Sequence, residues 1–329
     1  MKTFWQSLPK PILALAPMEG WTDAPFRQIC RAQGADVVYT EFLSSDAIGH
    51  GATAVLANMR FDPSEQPVIC QIFGHDIDMF RAAAVEVERR GFAGIDINFG
   101  CPARKVVAHG SGVALLRDPQ YARQLIETVL DATKLPVSIK VRTSIRKERK
   151  EIAPGTQERY TALDLLGVIQ DLPVAAIMVH GRSYEGGFSG TVDTDMIRQV
   201  KGRFTGIVLA NGGIQSPEDA KQLLNATGAD GVGIARGSQG APWIFQQARS
   251  LLDRGTYDPV PWEAIRGIML DHARRMEQDK GTRGMLRFRK HLAAYVRGFP
   301  GASQLRRTLV RTQSVDDIEK ALPHALPSV

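Results

Sequence analysis

Cys101 stands in the run Asn98-Phe99-Gly100-Cys101-Pro102, where an apolar stretch gives way to a glycine-rich segment reaching Gly112. A thiol with an ordinary pKa of about 8.5 is mostly protonated at neutral pH. It can therefore hand a proton to a carbanion-like carbon without acting as a nucleophile. The other two cysteines read as core filling, Cys30 in an amphipathic helical stretch and Cys70 inside a strand-like one. No two cysteines have Cys-x-x-Cys spacing, so neither a disulfide framework nor a zinc site is indicated and no metal is expected. Reduced thiols fit a cytoplasmic protein.

Other polar groups sit in comparable places. Lys140 is the last but one residue of the apolar run ending at Val141. An unpaired buried ammonium is costly, so a lysine there points to function. It suits a fixed cation beside a reduced flavin, or a Schiff-base amine in an aldolase-like enzyme, and the residues leave both open. His180, in Val179-His180-Gly181-Arg182, ends another run and reads as a ligand contact. Asn211-Gly212-Gly213 and Ala235-Arg236-Gly237 pair glycine-rich turns with a cation. Backbone N–H groups in such turns bind phosphate, so a phosphorylated ligand is expected. Gly231-x-Gly233-x-x-x-Gly237 has the wrong spacing for a dinucleotide fingerprint.

These groups need a scaffold that gathers strand ends. Eight short, β-branched apolar runs supply one: Ile12–Ala16, Asp36–Thr40, Val68–Phe73, Gly94–Asn98, Val137–Val141, Ala176–His180, Ile207–Asn211 and Gly231–Ala235. Helical stretches separate most of them, at Phe80–Arg90, Tyr121–Ala132, Leu163–Gln170 and Pro217–Asn225. Ser216-Pro217-Glu218 is a helix start, with a capping serine, proline in the first turn and an acid beside it. Eight strand–helix units in about 250 residues predict an α/β fold of the (β/α)8 TIM-barrel kind, whose active sites lie at the C-terminal strand ends. The segment Gly100–Gly112 reads as a mobile loop. After a linker at Asp253–Pro259, strand signals stop. Helical periodicity then runs over Trp262–Gln278, Met285–Arg297, Ser303–Thr312 and Val315–Leu322. The expected division is a barrel domain over 1–252 and a small C-terminal helical domain over 253–329.

Charge follows that division. Residues 262–329 hold 13 Lys and Arg against 7 Asp and Glu, which accounts for the whole net charge of +6. A basic module on a neutral body predicts a polyanionic partner. On one helix over 283–297, Arg283, Arg287, Lys290 and Arg297 share a face opposite Phe288, Leu292 and Tyr295. A second basic stretch, Arg146-Lys147 and Arg149-Lys150, follows the fifth strand and so lies at the barrel mouth. No apolar run approaches the ~18 residues of a membrane span, and Ile12–Ala16 is too short for a signal peptide. Nothing demands more than a monomer.

Read together, these runs resemble the tRNA-dihydrouridine synthase family, and most of all its B-type bacterial branch. The resemblance rests on Ala16-Pro17-Met18-Glu19-Gly20, Asp96-Ile97-Asn98-Phe99-Gly100-Cys101-Pro102, Ile139-Lys140-Val141-Arg142, Val179-His180-Gly181-Arg182 and Ala210-Asn211-Gly212. It continues through Gln239-Gly240-Ala241-Pro242-Trp243-Ile244-Phe245 and Arg287-Phe288-Arg289-Lys290-His291. It implies FMN across the barrel mouth and NADPH as reductant. It implies hydride transfer from flavin N5 to C6 of a uridine flipped out of tRNA, with Cys101 protonating C5. Carried over by motif, Pro17, Met18, Glu19, Gln71 and Lys140 line the flavin ring. His180, Asn211, Gly212, Gly213, Ala235 and Arg236 hold the rest of FMN, and Asn98 and Arg142 place the uracil.

Three positions depart from the family pattern: Ala235 replaces a usual Gly, Gly213 a common Asp, and Val107 an Asn or Gln. Backbone contacts would survive the first two, whereas Val107 removes a side-chain contact to flavin or uracil. Three other functions compete: an FMN reductase of a small molecule, a flavin-free lyase built on Lys140, and a non-catalytic RNA-binding protein.

Overall fold

The computed structural model describes residues 3–147 and 158–324. All eight expected runs are strands: β1 (Ile12–Leu15), β2 (Val37–Tyr39), β3 (Val68–Phe73), β4 (Gly94–Phe99), β5 (Val137–Arg142), β6 (Ala176–His180), β7 (Ile207–Asn211) and β8 (Gly231–Ile234). Each pairs in parallel with the next. The pairing of β8 with β1, from Ile12 opposite Gly231 to Leu15 opposite Ile234, closes the ring. The fold is therefore a (β/α)8 barrel.

Alternation along the strands builds two cores. Leu13 and Leu15 face outward into the layer beneath the helices, with Ile95, Ile97 and Phe99. Ile12, Ala14 and Ala16 face inward, packing with Tyr39, Ile69, Met178 and Leu209 over Trp5, which plugs the N-terminal end of the barrel. Short polar side chains start the surrounding helices. Asp76 accepts from the Met79 N–H at 3.0 Å and Asp118 from the Tyr121 N–H at 2.9 Å. Ser216 and Asp219 form a reciprocal capping box.

Two loops carry more structure than their composition suggests. Gly100–Gly112 holds a short helix, Arg104–Ala108, followed by a 3-10 turn from Gly112 to Arg117. After β5, Ser144–Arg146 pairs antiparallel with Arg159–Thr161. Arg146 is exposed, and Lys147 Nζ lies 5.0 Å over the Tyr160 ring. Arg149 and Lys150 lie outside the described residues.

The C-terminal region is helical. One helix spans Trp262–Tyr295, broken only at Gly281 (φ 57°, ψ −148°), and Ala302–Leu309 and Val315–Ala321 follow. Its apolar cluster, with Met276, Phe288, Leu292, Leu309 and Ile318, is separate from those of the barrel. It docks on the helix after β1. Arg275 Nη1 donates to Gln28 Oε1 at 2.6 Å, Lys280 pairs with Asp23, and His272 and His291 stack around Phe26. Phe288, Leu292 and Tyr295 are buried, while Arg283, Arg287 and Lys290 are exposed. The helix stops at Tyr295, so Arg297 lies beyond it and does not extend that cationic face. Among the described residues no helix is long and apolar enough to cross a membrane.

Candidate active site

The C-terminal ends of the strands enclose a cavity of about 540 Å³. Cys101, Asn98, Arg142 and every residue expected around the cofactor (Pro17, Met18, Glu19, Gln71, Lys140, His180, Asn211, Gly212, Gly213, Ala235 and Arg236) line it. Arg283, Arg287, Lys290 and Arg297 do not. Lys290 comes nearest, with Nζ 5.1 Å over the ring of Trp21, itself a lining residue. Arg283 and Arg287 line a separate cleft with Asp23, Glu41 and Lys280. Cys30 and Cys70 are sealed in the outer core, whereas Cys101 keeps 8% exposure at the rim.

A buried relay places the thiol. Asp96 and Asn98 alternate on β4 and so point to the same side. Ser138 Oγ and Gln71 Nε2 both donate to the Asp96 carboxylate, each at 2.7 Å. That bond turns Gln71 Oε1 toward Asn98 Nδ2, which donates to it at 2.9 Å. Asn98 Oδ1 is thereby left to accept the N–H groups of Gly100 at 3.0 Å and Cys101 at 2.8 Å. From behind, Gly112 packs so closely that a Cβ there would lie 2.9 Å from the Cys101 carbonyl oxygen and 3.1 Å from its Cβ. Its φ of +62° also suits glycine alone. Asn98 is thus first a positioning group for Cys101. Asn98→Ala orphans two backbone donors, and we expect kcat to fall roughly 10- to 100-fold through a displaced thiol. Bound cofactor should change little; steady-state kinetics with cofactor quantification checks this.

The cavity is cationic. Burial, reinforced by Lys140, Arg142, Arg182 and Arg236, drives the His180 imidazole down to about 2, so it is neutral at any working pH. Arg182 Nη1 lies 3.4 Å from His180 Nε2, and since guanidinium only donates, the imidazole proton belongs on Nδ1. Burial and the Arg142 charge lower Lys140 to about 8, against the pull of Asp96. Asp96, beneath it, is raised to about 6 by burial. Burial also lifts the Cys101 thiol above its ordinary value, outweighing the Ala103 N–H aimed at its sulfur and the cations nearby. At neutral pH Cys101 is therefore a protonated donor.

Arg142 was expected here, but its role in joining two loops, and several further lining groups, escaped sequence reasoning. Arg142 Nε donates to the Gly100 carbonyl and Nη1 to those of Ser183 and Gly187, all at 2.9 Å, tying together the loops after β4 and β6. Phe188, 57% exposed, stands between Arg142 and Arg236, 5.5 Å from each guanidinium. Its only sequence signal was an aromatic beside Gly186-Gly187. Trp21, Phe42 and Gln239 also line the wall. Val107 lines a different hollow with His75 and Tyr121, so its departure from the family pattern does not touch this cavity.

The sequence matches the family described as Dihydrouridine synthase (Dus) over residues 14–328. It is 34% identical over 306 residues to tRNA-dihydrouridine synthase B of Pseudomonas syringae pv. tomato, covering 92% of this chain and 88% of that one. To the protein of the same name from Vibrio vulnificus it is 35% identical over 298 residues, covering 90% and 89%. Among solved structures, morphinone reductase superposes with a TM-score of 0.52 at 14% identity, over 78% of this chain and 89% of that chain. Histamine dehydrogenase from Rhizobium sp. 4-9 gives 0.55 at 12%, over 86% and 48%. These two likenesses concern the fold.

Proposed function

Because the chain belongs to the dihydrouridine synthase family, we propose that it reduces the C5–C6 double bond of a uridine in tRNA, with FMN as cofactor and NADPH as reductant. The cavity suits a flat ring ending in a phosphate. Among the described residues, the N–H groups of Gly212, Gly213, Arg236 and Gly237 donate no backbone hydrogen bond within the chain. A Cβ at Gly212 would stand 3.0 Å from His180 Cδ2 and close that cradle. Gly212, Gly213, Ala235 and Arg236 would hold the phosphate, with His180 and Asn211 beside the linking chain. Pro17, Met18, Glu19, Gln71 and Lys140 would line the ring. Bound there, FMN supplies a hydride from N5 to uracil C6.

The chain's own residues do the rest. Lys140 sets a positive charge against negative charge in the cavity, where low polarity strengthens it. Cys101 delivers its proton to C5. Asn98 holds the Cys101 loop and keeps a second amide hydrogen for the uracil, while Arg142 places the base with the guanidinium edge its carbonyl contacts leave over. The helical domain, 253–329, carries nearly all of the chain's excess positive charge and would grip tRNA phosphates through Arg283, Arg287, Lys290 and Arg297 while one base is extruded into the barrel of 1–252. We read the protein as a cytoplasmic monomer whose reaction uses no metal.

The observation that carries this reading is the convergence of Cys101, Lys140 and the Gly212–Gly213 turn on one cavity in a chain matched to the family over 14–328. Mapping dihydrouridine across the tRNAs of cells lacking the protein tests it. Loss at one or more positions, restored by the intact gene, is expected; a full complement of dihydrouridine would overturn it.

A further inference from the structure

Away from the cavity, where the tail meets the barrel, Asp23, His272 and His291 each bring one possible ligand atom to within 4.8 Å of the others. Both imidazoles are 0% exposed. Among the described residues, His272 Nε2 and both ring nitrogens of His291 lack a hydrogen-bond partner. Buried polar atoms are nearly always paired, so orphaned nitrogens on two adjoining imidazoles point to a ligand that takes one from each ring. The surrounding rings of Phe26, Phe288 and Trp21 account for the packing of the imidazoles and carry no hydrogen-bonding oxygen toward them.

The donors are prepared for a cation. His272 Nδ1 lies 3.0 Å from the Tyr295 hydroxyl. With its proton donated there, Nε2 presents a lone pair, the arrangement that orients metal-ligating histidines. Burial holds both rings well below their usual pKa and hence neutral. Asp23 receives the Phe26 N–H at 3.2 Å and the Lys280 ammonium, and a carboxylate has further lone pairs. Asp279, 3.8 Å from Lys280, can hold that ammonium if it shifts. Two imidazoles and a carboxylate favour zinc over the all-oxygen shells of calcium or magnesium.

We propose that Asp23, His272 and His291 form a zinc site that clips the helical tail to the first loop of the barrel. The ligand atoms must draw in to about 3.3 Å, the edge of a tetrahedron with bonds of about 2.05 Å. Rotation of the Asp23 and His291 side chains would have to supply that movement, with water in the fourth position. No short motif announces the site, because two ligands lie on opposite sides of the Gly281 break and the third belongs to the barrel. The clip bears on the cavity rim. Asp23 lies two residues beyond Trp21, and His291 packs on the Trp21 ring at 4.7 Å.

The test uses the full chain, without a histidine tag, purified without chelator. Metal analysis should find roughly one zinc per chain. Chelator should lower Tm and zinc sulfate restore it. Asp23→Asn and His291→Gln should each weaken zinc binding about 10-fold or more, whereas Cys101→Ala keeps it. Should the variants fail to fold, cobalt substituted into the intact protein must show the absorption of a four-coordinate nitrogen and oxygen site. Absence of bound zinc together with no rise in Tm on adding it would overturn the proposal, leaving the cluster to a buried water. Zinc stabilisation undiminished in folded variants would overturn it equally.

Discussion

We expect Cys101→Ala to remove nearly all dihydrouridine formation and to leave cofactor binding intact. General-acid donation contributes about 10²–10⁴-fold to rate, so kcat should fall by that factor. Burial holds the thiol above its ordinary range, so almost every molecule carries the proton at neutral pH. The backbone around Cys101 is held by Asn98 and Gly112 rather than by its sulfur, so alanine should leave the loop in place. Cys101→Ser keeps a hydroxyl whose proton is harder to release and should recover only a small part of the rate. Turnover on tRNA lacking dihydrouridine, with flavin measured by absorbance, separates a lost donor from a lost cofactor. A variant that loses both would point to a structural role.

Lys140→Met should cost about 10²–10³ in kcat, the usual loss when one charge-stabilising group leaves an active site. The pH profile gives the sharper sign. Lys140 is lowered to about 8, so its ammonium is lost as pH rises through that value, and a bound anion would move the step upward. Activity should therefore fall on the alkaline side at or above about pH 8. Lys140→Arg keeps its charge there, and its alkaline limb should move to higher pH. A limb that stays in place in Lys140→Arg would assign it elsewhere. A Schiff base at Lys140 predicts instead that borohydride traps the substrate on the lysine.

The barrel was readable because each strand is a short β-branched run closed by a polar strand end, a pattern that survives without tertiary information. The same regularity exposed Cys101, Lys140 and the Gly212–Gly213 turn, since function in this fold collects where strands stop. The relay from Asp96 through Gln71 to Asn98 was less visible. Its members lie on two strands, and only the register of β3 against β4, with Gln71 opposite Asp96, brings them together. Phe188 acquires meaning only when two arginines from elsewhere, one ending β5 and one just after β8, flank it. Arg297 was placed on a helix that ends before it, although Gly298 and Pro300 carried the stop signal. His272 and His291 were unreadable as a pair because the break at Gly281 sets their relative direction.

The most direct measurement is an anaerobic single turnover. The protein, loaded with FMN and reduced by NADPH, is mixed with tRNA lacking dihydrouridine, and both the flavin absorbance and the modified base are followed. Return of the oxidised flavin spectrum with roughly one dihydrouridine per flavin, and neither with Cys101→Ala, is the expected result. Unchanged flavin with tRNA but rapid reoxidation by a small enone would contradict it and make this chain a reductase of free small molecules.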